Sequence, residues 1–417
     1  MIPTRPPESL TTPSEEARWD AVRGSFMNDP DEIYLNTGSW GVLPRSVYET
    51  MIASIREREL NPTRSRARLL EGVREARNRL GRFLHASPSD LALLMNVTVA
   101  INIVVNGLPW RPGDEILASD QEYGAIDNCL HNASRRWGIT LRRAKIPIPP
   151  TCPEDVVRAF EAGITDRTRL LLCSHITTGT GLIAPVKALA ELAHAHGARI
   201  VIDGAHAPGM IPLDLEAYGC DFYGGNCHKW LCAPQGVGFL HVAPHVQERM
   251  RHLVVGWGYS QDGTTSDSTG RPLIKGEPYM WGIERWGTFS MPEQIATGEA
   301  VRLQEEIGPD RIAARGRQLA GYLRQRMAEH DWAKLISPSH PEMTGSISTF
   351  VLDGFGSMKL GEILFDRYRI TVPVGPEGSA QRVRVSTHIY NTFAQVDRFL
   401  DALEELRAEA MGSCPPE

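Results

Sequence analysis

The sequence predicts an α/β protein with a large, mostly parallel sheet between helices and a smaller α+β module after it. Three observations lead there. From about residue 90 to residue 242, short apolar runs alternate with amphipathic stretches of helical length, the pattern of βαβ units. The runs are apolar on both faces, as strands of a doubly covered parallel sheet must be. Beyond residue 345 the pattern changes to alternating strands closed by a long amphipathic helix. We place an N-terminal arm and small-domain segment at 1–45, the large domain at 46–290 and the small domain at 291–417.

The elements follow in order. Residues 1–30 are rich in Pro, Thr and acidic residues and read as an extended or frayed arm. Tyr34-Leu-Asn-Thr-Gly38-Ser-Trp-Gly41 reads as a strand breaking into a Gly-bracketed loop, where backbone can approach a ligand. Ser39 and Trp40 on that loop are candidate substrate contacts. Pro44–Leu60 and Ser65–Leu84 carry helical spacing, separated by Asn61-Pro62. Leu91–Met95 is a strand, and Asn96-Val-Thr98 opens a helix reaching Gly107. Asp114–Ser119 is a strand, Ala125–Trp137 a helix, Ile139–Ile146 a strand, Pro153–Ala162 a helix and Leu170–Ile176 a strand. Pro185–His196 is a helix closed by Gly197, a C-terminal cap signal. Ile200–Asp203, Asp221–Gly224 and Val237–Val242 are further strands. Gly256–Gly287 reads as a long loop, and loops of that length are usually functional or at an interface. A helix begins near Pro292. Gly345–Leu352, Ile370–Val374 and Arg382–Ser386 read as strands, with helices at Lys359–Tyr368 and Ala394–Ala410.

Composition excludes several classes. The chain has 417 residues, a formal net charge of -6 and 42% hydrophobic residues. An acidic balance without long basic runs gives no reason to expect nucleic acid. No run approaches a membrane span, and the N-terminus lacks the apolar core of a signal peptide, so a cytoplasmic protein is expected. Seven scattered Cys suit free thiols in a reducing compartment. Cys220, Cys227 and Cys232 near His228 do not have metal-ligand spacing, and no metal is expected.

The chemistry sits at strand ends. In open parallel sheets, ligands bind outside the carboxyl ends of the strands. Thr98 lies where a helix follows a strand, a place that caps the helix or holds phosphate. Tyr123 follows Ser119-Asp-Gln-Glu122 and offers a ring face. Thr177 and Thr178 end one strand, and Asp203 and His206 the next. Asn226, His228 and Lys229 follow the strand after that. A carboxylate and an amine at neighbouring strand ends suit an aldehyde cofactor with a pyridine ring, the amine condensing with the aldehyde and the acid keeping the ring nitrogen protonated. No G-x-G-x-x-G opens the first βα turn, no G-x-x-x-x-G-K-[ST] is present, and G-x-S-x-G is lacking. Nicotinamide, P-loop and serine-hydrolase readings therefore fail.

Asp203-Gly-Ala-His206, Asn226-Cys-His-Lys229, Asn96-Val-Thr-Val-Ala-Ile-Asn102, Trp286-Gly-Thr288 and Arg384-Val-Ser-Thr-His-Ile-Tyr-Asn391 together resemble the class V aminotransferases. These are fold-type I pyridoxal 5'-phosphate enzymes that include the cysteine desulfurases. The order and spacing match from about Tyr34 to the C-terminal helix. Tyr34–Gly41 and Arg369–Val374 resemble the isopenicillin N epimerase-like branch. The resemblance implies that Lys229 condenses with the cofactor and shuttles the α-proton, and that Asp203 pairs with the pyridinium nitrogen. It implies that His206 and Thr178 lie near the phenolic oxygen and that Tyr123 stacks on the ring. Val97 (through its N–H), Thr98, Asn226 and His228 would hold the phosphate. Thr288 would reach the phosphate of a neighbouring subunit, which implies a homodimer. Arg384 would clamp the substrate carboxylate, since its planar fork matches a carboxylate.

A persulfide-forming desulfurase needs a Cys on the loop before the Arg384 strand. Here Val374-Gly-Pro-Glu-Gly-Ser-Ala-Gln381 has none, and Cys414 lies beyond the last helix. The expectation is α-proton chemistry on an amino acid or amino-acid-containing peptide, favouring epimerisation. C–S lyase or other β-elimination and transamination remain as alternatives. A catalytically silent scaffold is disfavoured by Lys229, Asp203 and Arg384 occurring together.

Overall fold

The computed structural model describes residues 12–247, 249–254, 280–284 and 286–412. The N-terminus differs from the expected extended arm. Helix α1 (Pro13–Arg23) forms there because Thr12 and Glu15 make a reciprocal capping box and Pro13 presets the first turn. Strand β1 (Ile33–Tyr34) precedes α2 (Arg45–Leu60) and α3 (Pro62–Phe83). Asn61 ends α2 and caps α3, accepting the Arg64 N–H. That cap is why α3 begins at Pro62 rather than at Ser65.

The large sheet follows. Its strands and helices are β2 (Leu91–Leu94), α4 (Val97–Gly107), β3 (Glu115–Ser119), α5 (Gly124–Trp137), β4 (Thr140–Ala144), α6 (Pro153–Glu161) and β5 (Thr168–Ser174). Then come α7 (Val186–Ala195), β6 (Arg199–Gly204), α8 (Leu215–Tyr218), β7 (Phe222–Asn226), β8 (Gly238–Val242), α9 (Pro244–Gln247) and α10 (Met280–Glu284). The order across the sheet is β2-β8-β7-β6-β5-β3-β4, with β8 antiparallel to both neighbours and the other pairings parallel. Alternate residues of each strand serve opposite faces. Leu171, Ile200, Ile202 and Tyr223 enter one core cluster, and Leu170, Leu172, Val201 and Phe222 the other. Burial on both faces explains why the strands read as continuous apolar runs rather than alternations.

A buried ion pair fastens this domain to its flanking helices. Arg77 of α3 and Glu284 of α10 lie 2.7 Å apart with side chains 3% and 2% exposed. Glu284 also accepts the Leu93 N–H of β2 at 2.8 Å. The expected long loop after Gly256 falls largely outside the described residues, but its end forms α10.

The C-terminal part contains α11 (Met291–Ile307), α12 (Pro309–Met327), β9 (Ala333–Leu335), β10 (Ile347–Leu352), α13 (Leu360–Tyr368), β11 (Ile370–Thr371), β12 (Val374–Glu377), β13 (Ala380–Ser386) and α14 (Phe393–Gly412). Helix α12 and strand β9 were not anticipated. Gly308 separates α11 from α12 with φ +100°. The expected single strand Ile370–Val374 is two, because Pro373 interrupts it. Strands β12, β13, β10 and β9 form an antiparallel sheet in that order. β1 pairs in parallel with β11. Ser386 N–H donates to Leu35 C=O at 2.9 Å, so the N-terminal strand lies against the C-terminal module.

Candidate active site

The site gathers at the carboxyl ends of β5, β6 and β7. Asp203 ends β6, is 2% exposed and is the pairing partner of Ser174 on β5 and Gly224 on β7. Its Oδ1 accepts the Ala205 N–H at 2.9 Å. Among the described residues no protein donor reaches Oδ2. Burial raises the Asp203 carboxyl above its ordinary value, and the Lys229 charge opposes that shift.

After β7 the chain turns through Cys227 to Ala233 and returns to β8. Cys227 N–H donates to Val237 C=O at 3.1 Å, and Cys232 N–H to Lys229 C=O at 3.1 Å. This closed turn directs Lys229 back over the sheet. Its Nζ lies 3.2 Å from His206 Nε2, which is 3.0 Å from Thr178 Oγ1. Trp230 Nε1–H donates to His206 Nδ1 at 3.2 Å. Burial is the main cause that pulls Lys229 down to about 8 and His206 well below its ordinary value.

At the head of α4, Asn96 Oδ1 accepts the Val99 N–H at 3.0 Å and Asn226 Oδ1 accepts the Val97 N–H at 2.9 Å. The Val97 N–H is therefore occupied, which departs from its expected role as a phosphate donor. Thr98 N–H, the Thr98 hydroxyl and the Asn226 side-chain NH2 keep no protein partner among the described residues. His228, whose pKa burial lowers, places Nδ1 3.4 Å from Val237 C=O. A helix N-terminus with open donors beside a side-chain amide suits an anion.

The C-terminal module supplies Arg384 on β13. Its Nη2 donates to Asn36 Oδ1 at 3.1 Å and Ser39 Oγ at 3.0 Å. Its Nε is buried without a partner, so the fork keeps unused donor capacity. Burial lowers its pKa, and the charges of both Arg384 and Lys229 act on His206. The loop holding Ser39 also touches the lysine turn, because Gly41 N–H donates to His228 C=O at 2.8 Å. Trp40 is 51% exposed, and its carbonyl accepts the Tyr34 hydroxyl at 2.9 Å.

The structure thus brings Lys229, His206, Thr178, Asp203 and Arg384 into mutual influence, with Ser39 beside Arg384. Tyr123 is the N-cap residue of α5, 51% exposed, and lies close enough to Arg384 to act on it electrostatically. Thr288 lies exposed between α10 and α11, and no hydrogen bond or ion pair among the described residues ties it to these groups. Two residues were missed. Asn36 holds the Arg384 fork, and its place in the Gly-bracketed loop was the only available signal. Trp230 fixes the His206 ring, and no sequence pattern marks that.

These residues fit a phosphorylated pyridine aldehyde: an amine held near neutrality, a buried carboxylate oxygen awaiting a donor, and open N–H groups at a helix head. No group of three or more His, Cys, Asp or Glu among the described residues could hold a metal. No helix among them is long and apolar enough to cross a membrane. Cys173, Cys220, Cys227 and Cys232 are buried, and burial pushes each thiol up. β12 and β13 join through a tight hairpin in which Glu377 pairs with Ala380.

The model of the class V aminotransferase family matches residues 33–399. The chain belongs to that family, whose cofactor is pyridoxal 5'-phosphate. Among curated relatives it is 37% identical to an isopenicillin N epimerase of Streptomyces clavuligerus, over 94% of this chain and 99% of the relative. It is 38% identical to an isopenicillin N epimerase of Amycolatopsis lactamdurans, over 93% and 98%. A probable cysteine desulfurase of Methanothermobacter thermautotrophicus is 26% identical over 93% and 98%. Its fold is shared by a cystine C–S lyase in complex with its product cysteine persulfide, with TM-score 0.81 and 22% identity over 91% and 98% of the chains.

Proposed function

We propose that this enzyme removes the α-proton of an amino-acid-containing peptide and delivers another proton to the opposite face. Isopenicillin N, named for the relatives at 37% and 38% identity, is the first candidate substrate. The observation that carries the reading is the Lys229 amine, set beside His206 and under the same field as Arg384.

When bound, pyridoxal phosphate supplies an aldehyde for the substrate amine and a ring that withdraws electrons from the α-carbon. The chain does the rest. Thr98, Asn226 and His228 would hold the phosphate, and Asp203 would keep the ring nitrogen protonated. His206 and Thr178 would meet the phenolic oxygen, and Tyr123 would stack on the ring. Arg384, steadied by Asn36 and Ser39, binds the substrate carboxylate, and Trp40 borders its side chain. Lys229 Nζ, neutral above about pH 8, takes the α-proton. Inversion then needs an acid on the other face. Tyr123 is a candidate, since its hydroxyl has no protein partner among the described residues. The buried thiols and the tight β12–β13 hairpin supply no persulfide-forming Cys, which favours this reading over desulfurase chemistry. Thr288, exposed on the single chain, would reach the phosphate site of a second copy in a homodimer.

Incubation with isopenicillin N in deuterated water tests the reading. Deuterium at the α-carbon with inverted configuration is expected. Pyruvate and ammonia without stereochemical change would replace it with β-elimination.

A further inference from the structure

The turn before Tyr123 is tied to the Asp203 strand by one side chain. Glu122 accepts the Ser119 hydroxyl from the end of β3. It also accepts the Ser174 N–H at 3.0 Å and the Ser174 hydroxyl at 2.7 Å from the end of β5. Ser174 is the pairing partner of Asp203 on the next strand. A continuous path of covalent and hydrogen bonds therefore runs from Tyr123 through Glu122 and Ser174 to Asp203. Gln121 adds a second tie, its Oε1 accepting the Thr180 hydroxyl at 2.9 Å. No cation within salt-bridge distance pairs with Glu122 among the described residues. Burial pushes its carboxyl up to about 7, with the Asp203 charge contributing. An acid left in that position without a counter-ion is costly, so packing alone does not explain it.

We propose that Glu122 is a positioning residue that fixes the Tyr123 ring face at a set distance from Asp203, and thereby shapes the slot for the cofactor ring. This rests on the reading that Tyr123 covers the ring and Asp203 meets its nitrogen. Glu122 touches neither substrate nor cofactor in this role; it acts through the turn. Losing its three hydrogen bonds frees the turn, and the ring loses the face it stacks on.

The test measures cofactor dissociation and the visible circular dichroism of the bound cofactor, which reports the asymmetry of the ring's surroundings. Glu122→Ala is expected to weaken cofactor binding about tenfold, only part of the energy of its three hydrogen bonds because Glu122 acts indirectly, and to diminish the visible dichroic band. Glu122→Gln, which keeps an acceptor for the Ser174 N–H, should restore most of both. The double variant Glu122→Ala/Tyr123→Ala should bind no more weakly than Tyr123→Ala alone, because the two act through one contact. Ser174→Ala, which keeps the Glu122 side chain, should show the same effects in smaller degree and serves if Glu122→Ala fails to fold. Additive losses, an unchanged band in Glu122→Ala, or no rescue by Gln would each overturn the proposal. A wild-type protein that takes up no cofactor would instead overturn the functional reading beneath it.

Discussion

Lys229 Nζ lies 3.2 Å from His206 Nε2, while the other nitrogen of that ring accepts the Trp230 indole N–H at 3.2 Å. An indole nitrogen only donates, so His206 Nδ1 must be an acceptor. In the neutral ring, which burial enforces, the proton then sits on Nε2. That proton points to Thr178 and Lys229, and a protonated lysine would oppose it. Trp230 thus sets the histidine tautomer, and the tautomer favours a neutral lysine.

The first prediction concerns pH. Only the neutral amine attacks an aldehyde. The rate of cofactor capture by the apo protein should rise with pH and level off with a midpoint near 8, where the fold places Lys229. Because the fold depresses this pKa, the folded protein binds fewer protons than the unfolded chain between about 8 and 10.5. Stability from this group therefore rises with pH across that window, and the penalty of the buried cation is full below it. Stopped-flow absorbance measures the rate, and a midpoint at the ordinary lysine value would contradict the assignment.

Lys229→Ala should bind the cofactor without the visible band of the lysine-bound form. An absorbance spectrum unchanged from wild type would place the reactive amine elsewhere.

Arg384→Ala should raise KM for substrate by about a hundredfold, the loss of a bidentate charged contact, while cofactor affinity changes little. Arg384→Lys should recover only part, because an ammonium cannot reproduce the planar fork. Equal losses of substrate and cofactor affinity would show that the residue serves both.

Gly41 is a steric test. A Cβ at this position would stand 1.9 Å from the Lys229 carbonyl oxygen, so Gly41→Ala must push the loop from the lysine turn. Activity should fall by at least about tenfold, with Ser39 and Asn36 drawn away from Arg384. Wild-type turnover in this variant would show that the loop does not set the site.

Breaking the Arg77–Glu284 pair should cost about 3–5 kcal/mol, since one buried charge is left uncompensated. Arg77→Ala should lower the denaturation midpoint, and Arg77→Met/Glu284→Leu should recover much of it. A double variant as unstable as the single one would mean that the hydrogen bond to Leu93, rather than the charge pair, holds this corner.

The sequence by itself determined the βαβ succession and put Asp203 and Lys229 at strand ends, because strand burial and strand-end polarity are written in local order; Arg384 was named only by the family resemblance. It did not mark α1, whose capping box of Thr12 and Glu15 sits in a composition typical of a frayed arm. Nor did it mark α12, which follows α11 across one glycine. Tertiary structure decided how distant groups share protons and charge. The family resemblance implies the Val97 N–H as a phosphate donor, yet that N–H is taken by Asn226, 129 positions away. Trp230 gains its role only when the lysine turn folds onto His206. Asn36 and Ser39 meet Arg384 across more than 340 positions. A local pattern names a residue's chemistry, but its protonation state depends on what surrounds it in space. The acid of β6 and the lysine after β7 became one site because their strands are neighbours in the sheet. Burial there, which no local pattern measures, sets the charge on each.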